Sequence, residues 1–304
     1  MMPEALSPDV FSSGDATVPV EQIHEVLRRV ELTDGVASFS EQFVRELDER
    51  RGNATVYVLS TQGRVIAAAV VMEDGNTEVV LDPQFSDDAA TLTEALIAPH
   101  SGGLKLWAHG DIGPVRALAQ EKGLEPSRTL VVMSLPGAAA VELPSPEFPE
   151  GGYELLNLEQ SVQRYGRDVI MKQWLDVNNQ AFSWHPEQGG WDEQQLEQAM
   201  DTEWFNPDDV LMLWQDATLV GFHWLKRHSD HRAEVYVVGL ADAARGKGLG
   251  TPLLTAGIAH MVGGNPMVET ILYVEQDNKA AVKAYENLGF EVIERHVVYP
   301  YQSV

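Results

Sequence analysis

Cysteine is absent from all 304 residues. The chain therefore has no disulfide framework, no thiolate nucleophile and no Cys-ligated zinc. Basic residues are scarce: 21 Lys and Arg stand against 46 Asp and Glu, a formal net charge of -25. That balance argues against nucleic acid or an anionic membrane as a partner. It suits a cationic or neutral small molecule, or serves solubility alone. Long apolar runs are missing too. The longest, Val65–Met72, falls far short of the roughly 20 residues of a bilayer span. The opening MMPEALSPDV has no basic stretch followed by an apolar core, so no signal peptide is expected and the expected location is cytoplasmic.

What is present supports a packed core: 44% of residues are hydrophobic and the mean hydropathy is -0.18. The length fits one large domain or two of ordinary size. Residues 1–20 are polar and expected to be loose. Helical periodicity covers Val20–Asp48 in two pieces, broken at Asp34-Gly35. Val56–Ser60 and Arg64–Met72 flank Thr61-Gln62-Gly63 and read as a hairpin. A strand Glu78–Leu81, a helix Asp88–Ile97, a strand Lys105–His109, a helix Pro114–Lys122 and a strand Thr129–Ser134 follow. The Pro-, Ala- and Gly-rich stretch LPGAAAVELPSPEFPEGG ends this half, with the linker placed at 141–152. The second half repeats the order: strand Tyr153–Leu156, helices within Glu159–Phe182 and Asp192–Thr202, hairpin Val210–Gln215 and Leu219–Lys226, strand Glu234–Gly239, then strand Thr270–Val274, helix Asn278–Leu288 and a closing strand Val292–Val298.

The most informative stretch is EVYVVGLADAARGKGLG, Glu234–Gly250. A β-branched strand leads through Arg245-Gly246-Lys247-Gly248-Leu249-Gly250 into a helix whose apolar positions are Leu249, Leu253, Leu254, Ile258 and Met261. Glycines at a helix start let unpaired N–H groups and the positive dipole end meet an anion. The loop is no Walker sequence, since Gly248 follows Lys247, and its glycines do not fit G-x-G-x-x-G. A pyrophosphate is the expected guest. The first half carries Asp82-Pro83-Gln84-Phe85-Ser86-Asp87-Asp88 at the matching place. Adjacent carboxylates there are expected to cap the helix themselves and repel phosphate, so the first copy is expected to have lost or weakened its anion site.

The loop fits R-x-x-G-x-G, and NKAAVKAYENLGF (Asn278–Phe290) resembles N-x-x-A-x-x-x-Y-x-x-x-G-F; both are motifs of the GNAT N-acetyltransferase superfamily. The segments HPEQGGW, GFHWLK, EVYVVG and LYVEQDNKAAV narrow the resemblance to its mycothiol synthase family. The resemblance implies an α/β (α+β) fold of two tandem GNAT-type acetyltransferase domains, each a mixed, mostly antiparallel central sheet flanked by helices. It places a degenerate domain at 1–140 and a catalytic one at 153–304. It implies acetyl-CoA as acetyl donor, with contacts at Val238, Gly239 and Leu240, at Arg245, Gly246, Lys247, Gly248, Leu249, Gly250 and Thr251, and at Asn278, Lys279, Ala280, Ala281, Val282 and Lys283. It implies substrate contacts at Glu41, Glu187, Lys226, Glu234 and Tyr273, and a small amine, the cysteinyl amine of a cysteinyl-glucosaminyl-inositol conjugate, as acceptor.

These residue types suit the chemistry. An α-amino group, with a pKa of about 7.7–8.0, must lose a proton before attacking a thioester. Glu234 is the expected base and Tyr285 the expected acid toward the departing thiolate. Main-chain N–H groups of Val238 and Leu240 are expected to polarise the acetyl carbonyl. His223, His228 and His231 with Asp230 match no compact ligand spacing, so no metal is expected. Trp184, Trp191, Trp204, Trp214 and Trp224 are expected as core and pocket walls. A monomer is expected. Acetylation of protein or peptide N-termini or of another small amine, or acetyl-CoA binding without catalysis, stays open as an alternative.

Overall fold

The computed structural model describes residues 7–183 and 188–302. Contacts divide the chain into two compact units: described residues within Met1–Val131, Glu275–Asp277 and Glu294–Val304 form the first, and those within Val132–Val274 and Asn278–Ile293 the second. The chain order is β1 (Asp9–Ser12), α1 (Val20–Asp34), α2 (Glu41–Asp48), β2 (Ala54–Thr61), β3 (Arg64–Met72), β4 (Asn76–Leu81), α3 (Ala89–Ile97), β5 (Gly103–Ala108), α4 (Gly113–Lys122), β6 (Arg128–Leu135) and α5 (Gly137–Ala140). Then follow β7 (Tyr153–Asn157), α6 (Leu158–Tyr165), α7 (Arg167–Ala181), α8 (Glu193–Met200), β8 (Val210–Gln215), β9 (Thr218–Ser229), β10 (Arg232–Leu240), α9 (Gly250–Val262), β11 (Glu269–Glu275), α10 (Lys279–Asn287) and β12 (Glu291–Gln302). Among the described residues no helix is long and apolar enough to cross a membrane.

The first unit is built on β1-β2-β3-β4-β5, antiparallel except for the parallel pair β4–β5. Gln62 and Gly63, both at positive φ, close the β2–β3 hairpin, the geometry two-residue hairpin loops favour. Two features depart from expectation. Residues 9–12 are not loose, since they pair with Thr55–Val58 as an edge strand. The last strand is longer than expected, and its residues 297–302 pair antiparallel with β5 of this unit. Val297 and Tyr299 enter the same core as Leu104, Leu106 and Ala108. An alternating apolar strand announces that it needs a partner but not which edge it will take.

The second unit has the same hairpin-then-parallel plan. β7, β8, β9 and β10 are antiparallel neighbours, and β11 pairs parallel to β10. Capping boxes start two of its helices: Asn157 with Gln160 opens α6, and Asp192 with Gln195 opens α8. Its core holds Trp174, Trp214 and Trp224 among aliphatic side chains from the sheet and α7. On the other face, α9 lies over β9, and Gly257 is there because of His223. A Cβ at 257 would stand 2.0 Å from the imidazole Nδ1.

The ring of His223 is wholly buried, and its Nδ1–H donates to the Leu253 carbonyl at 3.1 Å. Burial, with nearby His260 adding to it, lowers its pKa to about 4 despite the bond to Leu253. The unfolded chain thus binds a proton, below about pH 6.5, that the folded chain refuses. This contribution to stability is complete above that value and is lost as pH falls toward 4. Between pH 7 and pH 5 the loss from His223 is about 2 kcal/mol. In denaturant titrations, His223→Gln should weaken the pH 7-to-5 decline by about that amount, whatever its absolute stability. Identical declines in the two proteins would contradict the assignment.

Candidate active site

β10 and β11 pair only over Arg232–Val235 and Glu269–Leu272, whereas β10 goes on pairing with β9 to Leu240. The two central strands therefore part after Val235. Ala241 N–H donates to the Val220 carbonyl on the β9 side, at 3.0 Å. Strand alternation then turns the N–H groups of Gly239 toward β9 and those of Val238 and Leu240 toward the opening. Gly239 leaves room for the end of α7: a Cβ there would press on Ala181 at 3.0 Å and Phe222 at 3.1 Å.

Beyond the strand, a short turn, Asp242–Ala244, leads to the glycine loop. Asp242 N–H donates to Gln180 Oε1 (3.0 Å), and Arg245 Nη2 donates to the Gln180 carbonyl (2.8 Å) while Nη1 lies 3.1 Å from Asp242. Arg245 thus braces the loop against α7. Gly246 and Gly248 both have positive φ, and nothing lies within 4 Å of where their Cβ atoms would be. In contrast to α6 and α8, α9 starts with no side-chain cap. Among the described residues, the amides of Gly246, Lys247, Gly248 and Leu249 donate to no protein acceptor. Lys247, Gly250 and Thr251 are exposed beside them. Buried Leu249, Leu253, Leu254, Ile258 and Met261 anchor the helix beneath. A row of amides without protein acceptors at an uncapped helix of this length is chemically an anion cradle.

Glu234 is buried on β10, and its register partner on β9 is Lys226, also buried. Partners in register share a sheet face, so the two side chains are neighbours. Lys226 Nζ sits 4.7 Å from the centre of the Trp204 ring. Two bulges bracket this pair. His228 is the extra residue between the partners of Arg232 and Ala233, and Tyr236 the extra residue between Val235 and Val237. His228 Nε2 lies 2.6 Å from Glu234 Oε2. Tyr236 is partly exposed and packs edge-on against Trp204 (4.9 Å) and Trp224 (5.2 Å). Tyr273 is exposed on β11, two residues past Ile271, the β11 partner of Glu234, and so on the same sheet face.

α10 begins at Asn278, whose Oδ1 accepts from Ala281 N–H at 3.2 Å. Lys279, Ala280 and Lys283 are exposed on it; Ala281 and Val282 are half-buried. Tyr285 is half-buried against Phe290, with ring centres 5.8 Å apart, and burial pushes its phenol up to about 12. It stays protonated at every physiological pH.

Glu187 and Trp184 lie outside the described residues. Asn178 of α7 bonds Gln188 through main chain and side chain, and Asn179 bonds Trp191 N–H and carbonyl at 2.9 and 2.7 Å. Glu41 is in the first unit, exposed at the start of α2 and 4.0 Å from Arg45. The histidine cluster does not converge: His223 points under α9, and His228 meets Glu234. Among the described residues no group of three His, Asp or Glu side chains is placed to hold a metal. Trp214 and Trp224 are core, Trp214 donating to Ser161 at 3.0 Å, while Trp204 walls the site and Trp191 is half-buried. Sequence reasoning missed Gln180, Asn178 and Asn179 as braces and took His228 only as a cluster member. The β9–β10 register was the signal for His228, and the bulge concealed it.

The first unit repeats the parting of strands: β4 pairs with β5 only over Asn76–Glu78 and continues with β3 to Leu81. Glu78 is buried and bonds His109 Nε2 at 2.9 Å and Ser40 N–H at 2.7 Å. A short helical turn, Pro83–Asp88, replaces the glycine loop. Capping is done by Asp82, which accepts from Gln84 N–H at 3.1 Å, and not by Asp88, which makes no capping bond. Asp82 is buried and ion-paired with Arg29 and Arg64. Burial acts to raise its pKa, but the Gln84 amide and the two guanidinium groups hold it below the usual carboxylate range.

The profile of the Acetyltransferase (GNAT) family matches residues 172–290. The chain is 46% identical to a mycothiol acetyltransferase of Corynebacterium efficiens, covering 92% of each chain. It is 41% identical to that of Corynebacterium aurimucosum, covering 92% of this chain and 94% of the other. In fold it resembles a GCN5-related N-acetyltransferase from Sphaerobacter thermophilus (TM-score 0.66, 16% identity, 100% and 97% covered). It also resembles a tandem GNAT protein of the clavulanic acid pathway (TM-score 0.69, 16% identity, 98% of each chain covered). With identity this high over nearly its whole length, the chain belongs to the mycothiol acetyltransferase family of GNAT acetyltransferases.

Proposed function

We propose that this chain is an acetyl-CoA-dependent N-acetyltransferase that acetylates the cysteinyl amine of desacetylmycothiol, giving mycothiol and CoA. The observation that carries the reading is one arrangement in a single unit: an anion cradle, a parting of strands with two inward amides, and a buried carboxylate beside them. The relatives' shared name supplies the substrate.

The residues fit acetyl-CoA. Its diphosphate suits the free amides of Gly246–Leu249, with Lys247 and Thr251 at hand; its pantetheine amides suit Val238 and Leu240; and the α10 start at Asn278–Lys283 borders the arm. Acetyl-CoA supplies the acetyl group. The chain's residues do the remainder. Glu234 holds the cysteinyl ammonium by charge and takes its proton. Lys226 and Tyr273 bind hydroxyl oxygens of the sugar and cyclitol, with Trp204 and Tyr236 as an aromatic wall. Glu187 is a further substrate contact in this reading. Tyr285, a phenol kept neutral by burial, donates a proton to the departing sulfur. We assign catalysis to the second half of the chain. In the first half, Asp82 and the Pro83–Asp88 turn put carboxylate and side-chain bulk where the cradle would be, so acetyl-CoA binding there is lost or weak.

Incubation of the protein with acetyl-CoA and either desacetylmycothiol or peptide amines, followed by mass spectrometry, tests the substrate; acetylation of peptides in preference would overturn it. Glu234→Gln should lower kcat about 100-fold or more while acetyl-CoA affinity stays near wild type, since general-base removal is worth that much. Full turnover across pH 6–9 would remove Glu234 from the reaction. Gly248→Asp places a carboxylate in the cradle, in a backbone conformation Asp tolerates. It should weaken acetyl-CoA binding at least 100-fold by calorimetry, with unchanged circular dichroism. Retained affinity would place the diphosphate elsewhere.

A further inference from the structure

Glu234 is not alone in its pocket. A regular ladder would run Arg232, Ala233 and Glu234 against β9 without interruption, but the register slips there and His228 is the surplus residue. Such bulges re-aim side chains, and this one brings Nε2 of His228 to 2.6 Å from Glu234 Oε2. A carboxylate only accepts, so at this separation the imidazole nitrogen donates, and Oε2 is occupied. Oε1 is left for another donor. The histidine side chain is 31% exposed while that of the glutamate is 9% exposed, so one member of the pair meets solvent and the other is enclosed.

We infer that His228 is a positioning residue for acetyl transfer: its Nε2–H fixes the Glu234 carboxylate so that Oε1 faces the substrate amine. The inference rests on Glu234 serving as the base. While His228 is neutral, the pair carries one negative charge and takes the ammonium's proton. Once His228 gains a second proton at Nδ1, the pair is neutral and its carboxylate is a poorer base. Removing the imidazole should therefore change the acid side of the kcat/KM profile. Other charges stand around it. Lys226 is opposite Glu234; Asp230 and His231 occupy the turn; Arg232 on β10 is paired with Glu269 on β11; Tyr273 follows on β11; and Glu203 adjoins the Trp204 that Lys226 overlies. Arg232 and Glu269 satisfy each other, which leaves Lys226 as the main fixed charge at Glu234, and it is present in every variant below.

The test compares His228→Ala, His228→Gln and Glu234→Gln in the full chain, with acetyl-CoA and desacetylmycothiol, over pH 5.5–9. His228→Ala should lower kcat about tenfold, leaving the KM for acetyl-CoA unchanged. His228→Gln keeps an N–H donor at the same reach, so it should recover most of that rate near pH 8 while its acid limb moves to lower pH, because glutamine does not titrate. A His228→Ala enzyme with wild-type kcat and pH profile, or a His228→Gln enzyme as slow as the alanine variant or with the wild-type acid limb, would overturn the inference. If Glu234→Gln is inactive while both His228 variants behave as wild type, only this inference fails. If Glu234→Gln is fully active, the base assignment itself fails.

Discussion

The parting of β10 from β11 after Val235 is the constraint on which the rest of the site depends. A β-strand inside a sheet has every amide engaged with a neighbour, and so has nothing to offer a ligand. Here the register with β9 continues to Leu240, while β11 pairs only as far as Leu272. Alternate amides are released on one side only. Their donors are held at fixed spacing by a strand that stays anchored on its other edge, so no reorganisation is needed to present them.

The loop and helix that follow extend the same logic. α6 and α8 satisfy their first amides with their own side chains, as helices normally do. α9 does not, although eight of its residues are buried and secure it. Unsatisfied donors remain tolerable because Gly246, Lys247 and Gly248 are exposed, and the helix is held by the apolar face beneath. Gln180 and Arg245 hold the loop from outside, so the amides keep their direction without being consumed. The chain's large negative charge gives this local arrangement its importance: an anionic ligand is repelled by the molecule as a whole and favoured by the free amides of this loop.

The first unit shows what happens when the strand geometry survives and the loop does not. Its β4 leaves β5 in the same way, and Glu78 occupies the place of Glu234, also hydrogen-bonded to a histidine. But Asp82 has turned inward to two arginines, and the turn after it satisfies its own first amide. The positive charge that a phosphate would require is already neutralised. The contrast between the halves lies in a few loop residues rather than in the sheet.

Much of this could be read from the residues themselves. Periodicity outlined most strands and helices, the glycine spacing marked the loop, and Asn278 announced the α10 start, because each depends on neighbours within a few positions. The edge strand Asp9–Ser12, the pairing of residues 297–302 with β5, and the two bulges did not show. A short polar segment has no periodic signal, a strand does not name its partner, and a bulge is a mismatch between two registers that neither strand carries alone. For the same reason closeness in sequence groups His228 with His223 and His231, whereas alternation and a one-residue slip send them to different surroundings. The sequence by itself determined the chemistry available: no thiols, an amide-rich loop and carboxylates on strands. Only the tertiary structure decided which carboxylate is enclosed, which histidine meets it and which amides are left free, since those follow from pairings between segments far apart in the chain.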